Sequence, residues 1–177
     1  MSDLIHLAEL DGLGRDVFYV SVPSFSSIPA RFDLPTEKFV LFIACDANNI
    51  STADISDWAE KMLDTGAVYI CTWGKDCERV HDVIDEVDVE REIETEGKLP
   101  FVMTTWHSKE TLDDALWFAL MCTEPYEDSV DDSIATVILN VNDDARDEHL
   151  RKIFTDLKRF IEVDDGEEKF ETLKATD

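Results

Sequence analysis

The fold is decided by residues 39–73, FVLFIACDANNISTADISDWAEKMLDTGAVYICTW. The first six residues are all apolar, which is typical of a strand that is covered on both faces in a parallel sheet. Ser51 then provides an N-cap, and an apolar stripe at helical spacing runs from there to Gly66, which is placed to end the helix. The stripe comprises Ile55, Trp58, Ala59, Met62 and Leu63. A second apolar run, 68–73, completes a strand, helix and strand, the unit from which parallel sheets are built.

The same alternation continues along the chain. Two further apolar runs, 101–106 and 134–139, predict the third and fourth strands. The later helices are expected to begin near Asp76, after Ser108, and after Asn142 or Asp143. Four βα units joined by right-handed crossovers predict an α/β fold: a three-layer sandwich with a mostly parallel, doubly wound, Rossmann-like sheet.

The ends of these helices are less regular than their beginnings. Acidic crowding over 88–96 predicts that the second helix gives way there to a frayed or looped stretch. Pro125 is expected to stop the third helix, and the fourth is expected to carry apolar residues inward as far as Ile161.

We predict a single α/β domain over residues 1–163, in which 39–163 form the βα core. Within residues 1–38, the run 16–22 predicts an extra strand at a sheet edge, in either direction, followed by a Pro- and Ser-rich loop. The charged residues 164–177 predict an acidic, mobile tail.

The charge balance excludes several partners. The chain has 41 acidic and 16 basic residues and a formal net charge of -25. Such a surface repels phosphate backbones and anionic lipid, so we predict no direct binding to nucleic acid or membranes. The acidity has two explanations: solubility, or a cationic partner such as a basic protein.

Several features indicate a cytoplasmic protein. Residues 1–10 lack the basic start and apolar run of a signal peptide, and no apolar stretch approaches the ~18 residues of a spanning helix. The four cysteines have no CxxC spacing, which favours reduced thiols. They are Cys45, Cys71, Cys77 and Cys122. No Gly-rich phosphate cradle is present, and we predict no cofactor.

A ligand site in such a fold lies outside the carboxyl ends of the strands, where loops and helix N-termini converge. The polar candidates at these positions are Asp46, Asn48, Asp76, Cys77, His81, His107, Ser108 and Asn142. Two strands end in Cys-Thr-Trp and Thr-Thr-Trp, so Trp73 and Trp106 are expected side by side at the rim. They could form a stacking platform for a ligand or could cap the core.

Cys77 and His81 stand four residues apart on a predicted helix, the spacing of two metal ligands on one face. With Asp46 and His107 they suggest either a metal site or a Cys nucleophile with a His base. The third interpretation is that Cys77 is a small apolar residue on a buried face. The remaining histidines, His6 and His149, are expected at the surface.

Two motifs carry a resemblance. The strings Trp73-Gly74-Lys75-Asp76-Cys77 and 101–107, FVMTTWH, resemble those of a small bacterial family of unknown function that shares WGxDC and FVMTTWH patterns. The resemblance covers about residues 39–154. It implies that both Trp rims belong to the shared core of the family, and it implies no activity and no residue role.

These observations favour a cytosolic interaction or regulatory module, of inhibitor or immunity type, that engages a basic partner. The alternatives are a small-molecule-binding protein or enzyme with a site at the strand ends, and a metal site that uses Cys77 and His81.

Overall fold

The computed structural model describes residues 4–10, 15–124 and 134–162, and within them six strands form one sheet. The strands are β1 Ile5–Leu10, β2 Arg15–Val22, β3 Lys38–Ala44, β4 Ala67–Trp73, β5 Met103–His107 and β6 Ile134–Val141. Their order in space is β1-β2-β6-β3-β4-β5. All neighbours are parallel except β1 and β2, which are antiparallel.

Five α-helices of the described residues cover the two faces of this sheet. They are α1 Thr52–Asp64, α2 Cys77–Glu94, α3 Leu112–Met121, α4 Asp144–Phe154 and α5 Leu157–Glu162. Side chains of α1 and α2 share one core with one face of the strands, and side chains of α3, α4 and α5 share a second core with the other face. The predicted three-layer, doubly wound α/β sandwich is therefore confirmed.

The N-terminal strand differs from the prediction. β2 lies parallel to β6 in register from Val17 to Val22, and β1 pairs with its other side, so β2 is not an edge strand. β1 was not predicted, and its pairing with β2 has a shift of register between His6 and Ala8.

The acidic end of the second helix was also predicted wrongly. α2 continues to Glu94, and its last turns are held by Arg91, whose guanidinium contacts the Asp64 carboxylate of α1 at 2.7 Å and the Asp88 carboxylate of α2 at 3.8 Å. Asp88 is itself buried and accepts a hydrogen bond from the Val102 amide.

Three further boundaries of helices and strands differ from the prediction. The third helix begins after Thr111, not Ser108, because the Thr111 hydroxyl accepts from the Asp114 amide. The third predicted strand, β5, begins at Met103 and not at Phe101, which leaves Phe101 exposed. The predicted fourth helix is two helices, and the carboxylate of Asp156 between them accepts from the Arg159 amide of α5. Pro125 and the predicted tail, 164–177, lie outside the described residues.

In the described ranges, no helix is both long enough and apolar enough to cross a membrane.

Candidate functional site

The crevice expected for ligands lies between β3 and β6. The chain leaves β3 toward α1 on one face and leaves β6 toward α4 on the opposite face, so these neighbouring strands form the topological switch point. The loops that meet there carry three of the predicted residues, Asp46, Asn48 and Asn142.

A buried arginine that was not predicted occupies this crevice. Arg146, in the first turn of α4, is 5% exposed and lies over the Trp73 ring at 5.7 Å from its centroid. Its guanidinium donates to the Asn140 side-chain oxygen and, at 2.7 Å, to the Val141 carbonyl. Burial lowers the pKa of Arg146, while the charge of Asp143 opposes this shift. A cation in a first helical turn opposes the helix dipole, and this was the available signal that Arg146 needs partners elsewhere.

A second arginine fastens the neighbouring loops. Arg79 donates to the Ala47 carbonyl at 2.7 Å and to the Ile50 carbonyl at 3.1 Å, which ties the β3–α1 loop to α2. Its Nε donates to the Asp76 carboxylate at 2.7 Å. The donors at this edge of the sheet are thus used by the protein itself.

The turn after β4 lies close against the end of β3. Gly74 has φ +117°, and a Cβ at this position would stand 2.2 Å from the Cys45 carbonyl oxygen. Asp76 follows in the left-handed region, with φ 59°, and it precedes α2 without a side-chain cap. Only glycine fits the approach at position 74.

The remaining polar candidates are local and exposed. Asp46 accepts a hydrogen bond from the Asn48 amide at 3.2 Å, and Asn142, with φ 52°, donates its own amide to the Val22 carbonyl at 2.8 Å. Ser108 lies exposed in the β5–α3 loop. These residues lie at the predicted edge of the sheet. The Asp46 contact lies within its own turn, and the Asn142 amide joins the end of β6 to the end of β2.

The two tryptophans do not stand side by side, so that prediction is wrong. In the sheet register Trp73 lies opposite His107 and Trp106 lies opposite Thr72, which places the two indoles on opposite faces. Trp73 is buried and donates to the Glu110 carbonyl, so it caps the core below α3. Trp106 is 44% exposed.

The Cys77 thiol is buried at the start of α2. Burial raises its pKa, although backbone hydrogen bonds from His107, Cys77 and Gly74 act in the opposite direction. A thiol with a raised pKa carries little thiolate near neutral pH, which disfavours a nucleophile or a metal ligand.

The two histidines of the predicted set are separated by β5. His81 packs on the Trp106 ring at 4.5 Å between centroids and contacts the Asp82 carboxylate at 3.1 Å. His107 lies on the other face, where its ring packs on Phe118, and burial lowers its pKa. Across the part of the chain that the structure describes, no group of three or more His, Cys, Asp and Glu side chains is arranged to hold a metal ion.

The other two histidines, His6 and His149, differ in exposure. His6 is exposed, as predicted, with a side chain 54% accessible. His149 is not a surface residue: its side chain is 14% accessible and its Nε2 contacts the buried Asp113 carboxylate at 2.7 Å.

One groove lies outside the predicted set. It has a volume of about 460 Å³ and lies between residues 24–30 and α1, with Phe25, Ile50 and Trp58 among its walls. The Trp58 Nε1 has no hydrogen-bond partner, but it is shielded from solvent and so is not available to a ligand in the groove.

The charge of the chain is divided unequally between its two helical layers. α1 and α2 together carry twelve acidic and three basic residues, whereas α3, α4 and α5 carry six acidic and five basic residues. Two of the three basic residues on the first layer, Arg79 and Arg91, are bound to partners within the chain. The outer surface of α1 and α2, called here the acidic face, thus belongs to the more acidic of the two helical layers of the described residues.

Comparison with known proteins identifies the family of this chain but gives no functional role. A family model described as a domain of unknown function (DUF7684) matches residues 17–157, a span that includes β2 and the segment before β3. The match confirms the resemblance seen in the motifs and extends it toward the N-terminus. No curated protein matches the chain.

Proposed function

Since the chain belongs to the DUF7684 family, whose function is unknown, we propose its function from its surface: a cytosolic interaction module whose acidic face binds a basic protein. The observation that carries this proposal is the segregation of charge onto one helical layer. Acids that served only solubility would have no reason to favour α1 and α2 over α3, α4 and α5. An inhibitor or immunity-type role follows if the covered partner surface is the one that acts on an anionic substrate.

The acidic face is exposed and available to a partner. Ten of its twelve acidic residues are exposed, and the remaining two are Asp85 and Asp88, on the side of α2 next to β5. A concentrated negative surface speeds encounter with a cationic partner and makes affinity fall as salt rises.

A ligand site at the strand ends has less support. The guanidinium groups of Arg79 and Arg146 bind backbone carbonyls, and the Cys77 thiol is buried with a raised pKa. A substrate would have to displace these contacts.

The proposal is tested with two variants of equal charge. In the first, four exposed acids of the acidic face are neutralised: Glu60→Gln, Glu78→Gln, Glu86→Gln and Glu90→Gln. The control neutralises four exposed acids of the other layer: Asp144→Asn, Glu148→Gln, Asp156→Asn and Glu162→Gln. Proteins from a cytosolic extract are captured on each immobilised chain and eluted with a salt gradient.

We expect basic proteins that bind the natural chain and the control to be lost from the acidic-face variant. They should elute from the natural chain at moderate salt. Equal loss from both variants would mean that only total charge matters, and capture insensitive to salt would contradict an electrostatic interface.

A further inference from the structure

Exposed apolar side chains gather at one edge of the sheet. Of the six large apolar side chains that are exposed in the described residues, five lie on α2, on β5 or between them. They are Val89, Ile93, Leu99, Phe101 and Trp106, and with strand β5 they are called here the β5 edge. The exposed fractions of Ile93 and Phe101 are 73% and 51%, which is unusual for apolar side chains of this size.

α2 runs alongside β5 and brings carboxylates to this edge. The His81 ring lies on Trp106, the Asp85 carboxylate accepts from the Thr104 hydroxyl, and the Asp88 carboxylate accepts from the Val102 amide at 3.1 Å. Farther along α2, Glu92 lies beside Phe101, because both residues form part of the wall of one small hollow. The β5 edge is therefore an apolar strip bordered by acids.

The backbone of β5 has an open side. Among the described residues β5 pairs with β4 alone, and the Thr105 carbonyl accepts from the Thr72 hydroxyl of β4. Because successive residues of a strand direct their amide and carbonyl groups to alternate sides, those of Thr104 and Trp106 point away from β4. These groups form a template for a further strand.

Within residues 4–10, 15–124 and 134–162, the opposite edge of the sheet has protective features that β5 lacks. β1 has a break of register between His6 and Ala8, an ion pair between His6 and Asp16, and the acidic residue Glu9 within the strand. Bulges and charges of this kind block unwanted strand pairing. β5 has the sequence MTTWH and pairs with β4 without a shift of register.

We propose that the β5 edge binds an extended segment of a basic partner by strand addition. The backbone groups of Thr104 and Trp106 pair with the added strand. Its Lys or Arg side chains lie on the α2 side of the sheet, where they face Asp82, Asp85 and Glu92 beside Trp106, and its alternate, apolar side chains lie on the opposite side. This inference rests on the proposed function and names the way in which the partner is held. A second copy of the chain is a poor occupant because each copy carries a net charge of -25.

The test uses a short peptide of alternating valine and lysine as the probe, with the full natural chain. The control peptide has the same side chains and charge, but every amide is N-methylated, so it has no donor for a strand. Binding is followed by fluorescence anisotropy of labelled peptide. We expect the unmethylated peptide to bind at least about tenfold more tightly, because the methylated one cannot form the strand hydrogen bonds.

Two protein variants locate the site. Trp106→Lys places a cation on the β5 edge, and Ile5→Lys places one on the β1 edge, where Ile5 is 37% exposed. We expect Trp106→Lys to abolish the preference for the unmethylated peptide and Ile5→Lys to leave it unchanged, with both variants folded by circular dichroism.

The outcomes separate this inference from the proposed function. If both peptides bind equally and lose affinity only in the acidic-face variant, strand addition is wrong and the acidic face stands. If neither peptide binds at low salt, strand addition is overturned, and the proposed function is decided by the capture of basic proteins on the acidic-face variant and its control. If the natural chain dimerises on its own and Trp106→Lys prevents it, the occupant is a second copy and this inference is overturned.

Discussion

Cys77 illustrates at the scale of one residue how burial decides chemistry. Three of the four thiols, Cys45, Cys71 and Cys77, are buried and Cys122 is exposed. Burial raises the pKa of Cys45 and Cys71 to about 12 and also raises the pKa of Cys77. We therefore expect iodoacetamide at neutral pH to modify Cys122 first, and the other three only after unfolding in urea. Peptide mapping by mass spectrometry checks this, and rapid modification of Cys77 in the native protein would restore the nucleophile hypothesis.

Arg146 is the polar residue on which the crevice between β3 and β6 depends. Arg146→Ala removes the guanidinium donors to the Asn140 oxygen and the Val141 carbonyl and opens a cavity beside Trp73. We expect the free energy of unfolding to fall by about 2–4 kcal/mol. Urea denaturation measures it.

The matched control is Arg151→Ala on the same helix. Arg151 binds the Asp147 carboxylate at 2.8 Å, but its side chain is 51% exposed. Removing it is expected to cost less than about 1 kcal/mol, because solvent screens an exposed ion pair. Equal losses in the two variants would show that the contacts of Arg146 contribute no more than a surface pair.

At the scale of the element, the start of α3 has two candidate N-cap residues, Thr111 and Ser108, which can be distinguished by mutation. The Thr111 hydroxyl accepts from the Asp114 amide at 3.1 Å and donates to the Asp114 carboxylate, whereas Ser108 is exposed three residues earlier. Thr111→Ala is expected to destabilise the protein by about 1 kcal/mol, and Ser108→Ala by less than about 0.5 kcal/mol. Thermal and urea unfolding of both variants check this, and the reverse ranking would move the helix start back to Ser108.

The elements that could be predicted are those whose local pattern and packing agree. β3 and α1 were predictable because a wholly apolar run and a capped amphipathic stripe each permit one structure. The end of helix α2 was not, because it is held by contacts with residues distant along the chain: Arg91 with Asp64 of α1, and Asp88 with the Val102 amide. The predicted side-by-side arrangement of Trp73 and Trp106 was wrong for another reason. Similar strand endings do not reveal the register, which places the two indoles on opposite faces of the sheet.

At the scale of the whole molecule, the unequal charge of the two helical layers has a consequence for stability. On the α3–α5 layer, acids have basic neighbours, such as Glu148 with Lys152 at 2.9 Å. On the acidic face, twelve acids share three basic residues. Like charges confined to one layer repel each other and oppose the folded state, so the natural chain carries a destabilising surface.

The two variants of equal charge measure that repulsion. Neutralising the four acids of the acidic face is expected to raise the free energy of unfolding by on the order of 1 kcal/mol at low salt. The control variant is expected to gain nothing, because it breaks the pair of Glu148 with Lys152. In about 1 M salt, where charges farther apart than about 3 Å are screened, the difference between the variants should vanish. If the free energy of unfolding rises equally in both variants, charge repulsion on the acidic face is no stronger than on the rest of the surface. If it rises only in the acidic-face variant, and that variant also loses the basic partner, then the same acids that bind the partner destabilise the folded chain.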